Sequence, residues 1–206
     1  ASLAPQMVTY YQPEQLGTGH AVLQALPFFE ALQGNLLVLV GDAPLIRPET
    51  LTGLIAAHET GGYAATVLTA EFDDPIGYGR MIKNSAGELL KIVEEKDASS
   101  AEKQVTEINS GIYCFDAQAL IGALKELKTD NIQGEYYLTD AIEILRKMGK
   151  TAGTYVTPDR EDIRAINSRV QLAEAEAVMR KRINHKLMEA GVTIIDPAAT
   201  YVGARV

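Results

Sequence analysis

The chain carries the stretch Glu14-Gln-Leu-Gly-Thr-Gly-His-Ala-Val22, a glycine-rich turn that leads into a helix. Further along, Leu36-Leu-Val-Leu-Val40-Gly-Asp-Ala-Pro44 is an apolar strand that delivers one carboxylate, Asp42, to its carboxyl end. Open α/β sheets bind ligands at that edge, and backbone amides at helix starts receive anionic groups. In this order and spacing, the pair predicts a site for a nucleotide and a metal ion. Taken alone, the Gly-Thr-Gly run is more typical of a tight turn that needs glycine dihedrals.

The composition argues against several classes of protein. The 206 residues carry a net charge of −8 and a single cysteine, Cys114. Nucleic-acid and anionic-membrane surfaces need clustered lysine and arginine, so neither partner is expected. A lone cysteine permits no disulfide within the chain, and neither an apolar run of about 18 residues nor a signal-like start occurs. We therefore expect a cytoplasmic protein in which Cys114 is a buried small hydrophobe.

Strand and helix signals alternate through the first half of the chain, which is typical of a parallel or mixed sheet with crossover helices. The apolar residues 36–40 predict a strand buried on both faces, and residues 7–11 predict another strand. Further strands are expected at residues 64–70, 108–115 and 151–156, with a hairpin over 80–93. Helices are expected at residues 20–32, divided at Pro27, and at 49–59, 118–127 and 138–148.

The last forty residues change character. Residues 168–190 predict one amphipathic helix, capped at its start by Asn167 or Ser168. After the helix, Ile195 and Tyr201 fall on a six-residue spacing with short residues between them. That spacing resembles the first coil of a hexapeptide β-helix, although one coil establishes no repeat.

Seven motifs occur in fixed order along the chain. They are Glu14-Gln-Leu-Gly-Thr-Gly-His-Ala21, Gly41-Asp42, Gly77-Tyr-Gly-Arg80, Ile92-Val-Glu-Glu-Lys-Asp97, Glu107-Ile-Asn-Ser-Gly111, Gly134-Glu-Tyr-Tyr-Leu-Thr-Asp140 and Ile166-Asn-Ser-Arg169. From Tyr10 onward, the chain resembles the uridylyltransferase domain of the bacterial bifunctional UDP-N-acetylglucosamine pyrophosphorylase / glucosamine-1-phosphate N-acetyltransferase family.

The resemblance implies a fold and a domain organisation. The fold is a Rossmann-like α/β nucleotidyltransferase domain with a mixed sheet, a long C-terminal helix and the start of a left-handed β-helix. Residues 1–167 would form the nucleotidyltransferase domain without its first βα units, residues 168–190 a linker helix, and residues 191–206 the first coil of the β-helix. In the complete protein, that β-helix would assemble a homotrimer.

The resemblance also implies an activity and a set of site residues. The enzyme would join UTP to N-acetylglucosamine 1-phosphate with the help of Mg²⁺, and pyrophosphate would leave. Uracil would be held by Gln12, Gly17 and Thr18, with Val40 and Gly41 close to the nucleoside. Asp42, the catalytic residue, and Asn167 would bind the Mg²⁺. The sugar pocket would be lined by Gly79, Glu94, Asn109, Tyr137 and Thr139.

The residue types suit this chemistry on their own. Gln12 offers a donor and an acceptor to the amide-like edge of uracil. One aspartate with one amide is a sensible Mg²⁺ site, because the ion prefers oxygen ligands and keeps several waters. Plainer interpretations stay open: Asp42 as the start of a turn, Asn167 as a helix cap, Tyr137 as core packing and Glu94 as part of a solvated loop.

One part of the family's pattern does not occur in this sequence. The family opens with a strand and a loop of the form Leu-x-x-Gly-x-Gly-Thr-x-Met, followed by Pro-Lys, which cradles and neutralises the phosphates. Without that loop the 206 residues hold half of a nucleotide site. They are expected to bind UDP-N-acetylglucosamine weakly and not to synthesise it. Two alternatives stay open: a non-catalytic sugar-nucleotide-binding remnant, and a fragment of a trimeric β-helix scaffold.

Overall fold

The computed structural model describes residues 7–203, and these residues form two units. The first unit contains residues 7–39 and 52–156, and the second contains residues 40–51 and 157–203. One helix, α3 (Pro48–Gly61), is divided between the units at Thr52. Within the described part of the chain, none of the helices combines the length and the apolar character needed to cross a bilayer.

A six-stranded mixed sheet forms the centre of the first unit. Its strands are β1 (Asn35–Val38), β2 (Ala65–Glu71), β3 (Arg80–Lys83), β4 (Leu89–Val93), β5 (Glu107–Asp116) and β6 (Ala152–Val156). The strand order is β4-β3-β5-β2-β6, and β1 also pairs with β5. The β2–β6 pair is parallel and the other pairs are antiparallel. The mixed sheet expected from the sequence is therefore confirmed, as is the hairpin of β3 and β4.

Helices α1 (Thr18–Gln24), α2 (Leu26–Phe29), α4 (Ala117–Leu124) and α5 (Asp140–Lys147) also belong to the first unit. Pro27 divides α1 from α2, as expected, because a proline fits the first turn of a helix but not its interior. The core includes Leu120 of α4 together with Ile142 and Leu145 of α5, all fully buried. Cys114 is also fully buried, and burial raises the pKa of its thiol to about 11.

Two expectations about strands are wrong. Residues 7–11 form no strand, because their backbone has no ladder partner among the described residues; the Tyr11 side chain is 83% exposed. Residues 36–38 do form a strand, but they are only half-buried, and Leu39 beyond them is exposed. The apolar run predicted burial on both faces, yet in the described residues β1 pairs with β5 alone. A run of apolar residues does not itself supply the layers that cover it.

The second unit contains the loop after β1, a 3₁₀ helix (Arg160–Ile163) and α6 (Arg169–Glu189). The long helix expected over 168–190 is therefore confirmed, and Ser168 caps it by accepting a hydrogen bond from the Gln171 amide. Residues 191–203 contain turns and no strand. The β-helix coil and the three domain boundaries stay predictions, and residues 1–6 and 204–206 lie outside the described residues.

Candidate functional site

The glycine turn before α1 interlocks with the backbone around Tyr136. Gly17 has a φ of +102°, and a Cβ there would lie 2.7 Å from the Tyr136 carbonyl oxygen. The Gly19 amide donates to that same oxygen at 2.8 Å, and the Tyr136 amide donates to the Leu16 oxygen at 2.8 Å. Only glycine combines this dihedral with so close a backbone approach. The tight-turn interpretation is therefore correct, and it leaves a ligand-binding role open.

Gln12 and Thr18 are fixed on the same turn. The Gln12 Nε2 donates to the Gly17 carbonyl oxygen at 3.3 Å and lies 3.1 Å from Nδ1 of His20. The Thr18 hydroxyl accepts from the Leu138 amide at 3.1 Å. The structure thus brings together the three residues predicted for uracil. His20 was not among the residues predicted for uracil, although it stands in the first motif and in the first turn of the helix that the glycines open.

Four of the residues predicted for the sugar pocket meet, although they come from four separate segments. The Thr139 hydroxyl donates to Oε1 of Glu94 at 3.1 Å. A Cβ at Gly79 would lie 3.5 Å from the Asn109 Cβ and 3.5 Å from Oε2 of Glu94. The backbone amide of Asn109 donates to the Gly79 carbonyl oxygen at 2.9 Å. The missing side chain of Gly79 therefore leaves space beside Glu94 and Asn109.

Burial dominates the electrostatics of this group. It raises the pKa of the Glu94 carboxyl; the hydrogen bond from Thr139 opposes this rise, and the negative charges of Asp140 and Asp97 add to it. Tyr113 is also buried, and its burial raises the pKa of its phenol well above the ordinary value. A hydrogen bond with Asn109 opposes this rise. Glu94 is thus half-buried and oriented, which suits a carboxylate that accepts hydrogen bonds from hydroxyl groups.

Tyr137 is oriented differently from the other four residues. Its hydroxyl donates to Oδ2 of Asp97 at 3.2 Å, and the residue is only 6% exposed. Burial, and then the charge of Asp97, raise the pKa of this hydroxyl to about 12. The lining of a cleft of about 220 Å³ includes Tyr137, Asp97 and Glu94. This burial supports the packing interpretation of Tyr137, and Asp97 is a neighbour that was not among the predicted site residues.

Residues 136–139 link the two groups of side chains. Tyr136 pairs with the glycine turn, the Leu138 amide with Thr18, and the Thr139 hydroxyl with Glu94. Three residues of this four-residue segment therefore connect the glycine turn and Thr18 with Glu94 within the first unit.

The predicted metal ligands lie on two segments of the second unit that a backbone hydrogen bond joins. The Ile166 amide donates to the Asp42 carbonyl oxygen at 2.8 Å, and Asn167 follows directly. Because Ser168 is the residue that caps α6, the Asn167 side chain is not used as the cap. Asp42 and Asn167 are both exposed, and neither side chain has a hydrogen bond to another residue of 7–203. Just before Asp42, a Cβ at Gly41 would meet nothing within 4 Å.

Asp42 and Asn167 fit a hard divalent cation that retains part of its water shell. Among the described residues, no three or more His, Cys, Asp or Glu side chains converge into a set that could hold a metal. Mg²⁺ does not require such a cage, because it is commonly held by one or two carboxylates together with waters and substrate phosphates. The oxygens of one carboxylate and one amide match that requirement. Val40, half-buried, also belongs to this loop.

An ion cluster around the fully buried carboxylate of Asp162 lies beside the same loop, and no motif of the sequence indicates it. Asp162 is fully buried and accepts from Nε of Arg47 at 2.8 Å, from Nη2 of Arg182 at 2.9 Å and from the Thr50 hydroxyl. The hydrogen bond to Asp162 raises the pKa of Arg47. Arg47 and Asp162 are 115 positions apart, so no local pattern could have indicated their pairing.

The fold and the arrangement of these residues define the class of protein. The chain belongs to the nucleotidyl transferase family, whose model matches residues 1–177. A crystal structure of UDP-glucose pyrophosphorylase complexed with UDP-glucose has the same fold, with a TM-score of 0.63 and 17% sequence identity. That similarity covers 83% of this chain and 64% of the other.

The resemblance based on the seven motifs is confirmed by relatives named bifunctional protein GlmU. The chain is 56% identical to the protein from Streptococcus suis over 191 residues, which are 93% of this chain and 42% of that protein. It is 54% identical to one from Clostridium botulinum over 196 residues, 95% of this chain and 43% of that protein. It is 56% identical to one from Caldanaerobacter subterraneus, over 95% of this chain and 42% of that protein. The chain thus spans less than half the length of these relatives.

Proposed function

We propose that this chain carries the uracil, sugar and metal residues of an Mg²⁺-dependent enzyme that transfers a uridylyl group from UTP to N-acetylglucosamine 1-phosphate. The products are UDP-N-acetylglucosamine and pyrophosphate. The observation that carries this proposal is the link through residues 136–139, which holds Thr18 and Glu94 in one arrangement. The identity of 54–56% to proteins named bifunctional protein GlmU supports it.

Uracil recognition falls to Gln12 and the turn at Gly17-Thr18. The Nε2 of Gln12 is engaged with the Gly17 carbonyl oxygen, which orients the amide plane. The amide oxygen of Gln12 then accepts from the N3–H of uracil, and backbone groups of the turn pair with the base at close range. Cytosine has no N3–H, so this arrangement favours UTP over CTP.

Sugar recognition falls to Glu94 and Asn109. Glu94, oriented by Thr139, accepts hydrogen bonds from sugar hydroxyls, and Asn109 pairs with the acetamido group. Gly79 leaves the space that the sugar ring occupies, because any larger residue would project toward both side chains. Tyr137 closes one wall of the neighbouring cleft.

Asp42, with a carboxylate oxygen, and Asn167, with its amide oxygen, would hold the Mg²⁺. When bound, the ion neutralises phosphate charge, which is the main requirement of phosphoryl transfer. The two residues contribute fixed positions, since the hydrogen bond from Ile166 to Asp42 ties their segments together. No protein nucleophile is required, because the sugar phosphate itself attacks the α-phosphorus of UTP and pyrophosphate leaves.

The residues after α6 belong to the same proposal. Ile195 is 99% exposed and Tyr201 is 69% exposed, six positions apart. Exposed apolar side chains at this spacing support a β-helix that begins here and assembles homotrimers. Sedimentation of the protein as its gene encodes it should give three times the monomer mass, and a monomer would contradict this assembly.

The experiment is steady-state pyrophosphate release by the protein as its gene encodes it, with the sugar product identified by ³¹P NMR. UTP, N-acetylglucosamine 1-phosphate and Mg²⁺ should give UDP-N-acetylglucosamine and pyrophosphate in equal amounts. We expect kcat/KM for UTP to exceed that for CTP by about a hundredfold or more, because sites built on hydrogen bonds reject mismatched partners strongly. Equal values for the two nucleotides would contradict the uracil assignment, and Mg²⁺-independent turnover would contradict the metal assignment.

A further inference from the structure

The ion cluster around Asp162 in the second unit brings three segments together. Asp162, 0% exposed, accepts from both Arg47 and Arg182, with Arg47 Nε near both of its oxygens at 2.8 and 3.1 Å. Arg182 also donates through Nη2 to Asp159 at 3.1 Å and through Nη1 to the Leu45 carbonyl oxygen at 2.7 Å. A planar guanidinium that makes several such bonds fixes the orientation of its partners.

The members of the cluster lie beside the candidate metal ligands in the chain. Arg47 and Leu45 belong to the loop that begins at Asp42, and Asp162 belongs to the segment that leads to Asn167. Arg182 is in α6, which begins just after Asn167. Arg182 therefore contacts both segments. The hydrogen bond from the Ile166 amide to the Asp42 carbonyl oxygen joins the same two segments next to the candidate ligands.

The fully buried carboxylate of Asp162 needs a reason beyond stability. Taking charges out of water is costly, and replacing buried ion pairs by apolar residues is often neutral or stabilising. What such a cluster does provide is a defined geometry, since each bidentate or multiple contact permits few alternatives. In the second unit, the cluster defines the relative position of the two segments that carry Asp42 and Asn167.

We propose that Asp162 is a positioning residue for the metal site: through Arg47 and Arg182, it fixes the separation of Asp42 and Asn167. The inference rests on the proposed function, because it assumes that these two residues hold the cation. Asp162 itself contacts neither ligand. Its effect passes through the segment from Asp42 to the first turn of α3, where the Thr50 hydroxyl also donates to Asp162.

The test is the variant Asp162→Asn, which keeps the shape of the side chain and removes its charge. Mn²⁺ serves as the probe and is titrated by EPR in the presence of saturating UDP-N-acetylglucosamine, against a protein-free blank. We expect about tenfold weaker Mn²⁺ binding, the lower end of the range for residues that support metal ligands. Hydrogen exchange at the Ile166 amide should also become faster, while affinity for UDP-N-acetylglucosamine in EDTA should stay unchanged.

Two further variants separate this inference from the proposed function. The matched control is Glu174→Gln, which breaks an exposed pair with Arg164 in the same unit and should leave Mn²⁺ affinity unchanged. Asp42→Asn should abolish Mn²⁺ binding to the protein. If Asp42→Asn binds Mn²⁺ like the wild type, the proposed metal site is wrong. If Asp42→Asn loses binding but folded Asp162→Asn retains it, the metal site stands and the positioning role is overturned.

A loss of folding in Asp162→Asn does not end the test. Arg47→Gln then replaces it, because the Arg47 side chain is 37% exposed and its removal leaves Arg182 to pair with Asp162. The same weakening of Mn²⁺ binding and the same faster exchange at Ile166 are expected. A variant that lowers only the Tm, with unchanged Mn²⁺ affinity and Ile166 exchange, would show that the cluster is structural and overturn the proposal.

Discussion

The residues proposed for recognition in the first unit and those proposed for metal binding in the second unit are held in different ways. Around Gly17 and Glu94, the candidate residues are buried or half-buried, and most of them are bonded to one another or to the backbone of residues 136–139. Asp42 and Asn167 are exposed and have no side-chain partner within residues 7–203, while their segments are joined through the fully buried carboxylate of Asp162 and its partly exposed arginine partners. The residues proposed for recognition are thus oriented by the fold in advance, whereas those proposed for the cation keep their oxygens available.

The largest effect on stability should come from Gly17→Ala, which breaks the interlock of the recognition group. A Cβ would lie 2.7 Å from the Tyr136 oxygen, and the residue has a φ of +102°. The alanine side chain is disfavoured both by the positive φ and by its close contact with Tyr136. Together, the two costs predict a loss of about 3 kcal/mol in the free energy of unfolding, measured by urea denaturation.

The control for that variant is Gly34→Ala in the same unit. Gly34 has a φ of +96°, but a Cβ there would meet nothing within 4 Å. It should therefore lose only the dihedral cost, about 1 kcal/mol. Equal destabilisation by the two variants would show that the close approach to Tyr136 does not matter.

A smaller effect, confined to sugar binding, is expected for Thr139→Val. The variant keeps the shape of a buried side chain and removes the hydroxyl that donates to Glu94. We expect KM for N-acetylglucosamine 1-phosphate to rise about tenfold, equivalent to about 1.4 kcal/mol, with KM for UTP unchanged. Thr139→Ser keeps the hydroxyl and should behave like the wild type. A rise in both KM values would mean that Thr139 supports the fold rather than Glu94.

Asp140→Asn should change how stability depends on pH. Burial, with help from Glu143 and Asp97, raises the pKa of Asp140 from 3.8 to about 6. The folded protein thus holds an extra proton between these values, so this residue lowers the free energy of unfolding as the pH rises from 4 through about 6. Asp140→Asn should be more stable than the wild type by about 1–2 kcal/mol at pH 7.5, after allowance for solvent screening, and by little at pH 4. Thermal melts that show the same difference at both pH values would contradict this.

The smallest effect separates a helix cap from a metal ligand. Ser168→Ala should lose about 1 kcal/mol of stability, because its hydroxyl caps α6. Asn167→Ala should leave the free energy of unfolding unchanged and lower Mg²⁺-dependent turnover instead. Urea denaturation and pyrophosphate release measure the two properties. If Asn167→Ala is as unstable as Ser168→Ala, Asn167 shares the cap.

Local features of the fold could be predicted because their causes are local. The cap at Ser168, the division at Pro27 and the β3–β4 hairpin each depend on a few neighbouring residues. The burial of β1 was predicted wrongly, since a strand's apolar pattern does not state which layers cover it. The mixed sheet could be predicted as a class but not as a strand order.

The grouping of candidate site residues could be predicted where motifs mark them. Glu94, Asn109 and Thr139 each stand in a motif, and the structure brings them together. The contacts that hold them could not be predicted, because they join residues far apart in sequence. The bond from Leu138 to Thr18 spans 120 positions, and the Asp162 cluster spans a similar distance. Such contacts exist only once the chain has folded.

The measurement that tests the difference between the two regions most directly is calorimetric titration of UDP-N-acetylglucosamine in EDTA, with the protein as its gene encodes it. Asp42→Asn should bind at least as tightly as the wild type, although it has lost Mg²⁺-dependent pyrophosphate release. Glu94→Gln should bind about tenfold more weakly, because a carboxylate is a stronger acceptor than an amide. If Asp42→Asn loses this binding while Glu94→Gln retains it, the assignment of recognition to one region and metal chemistry to the other is wrong.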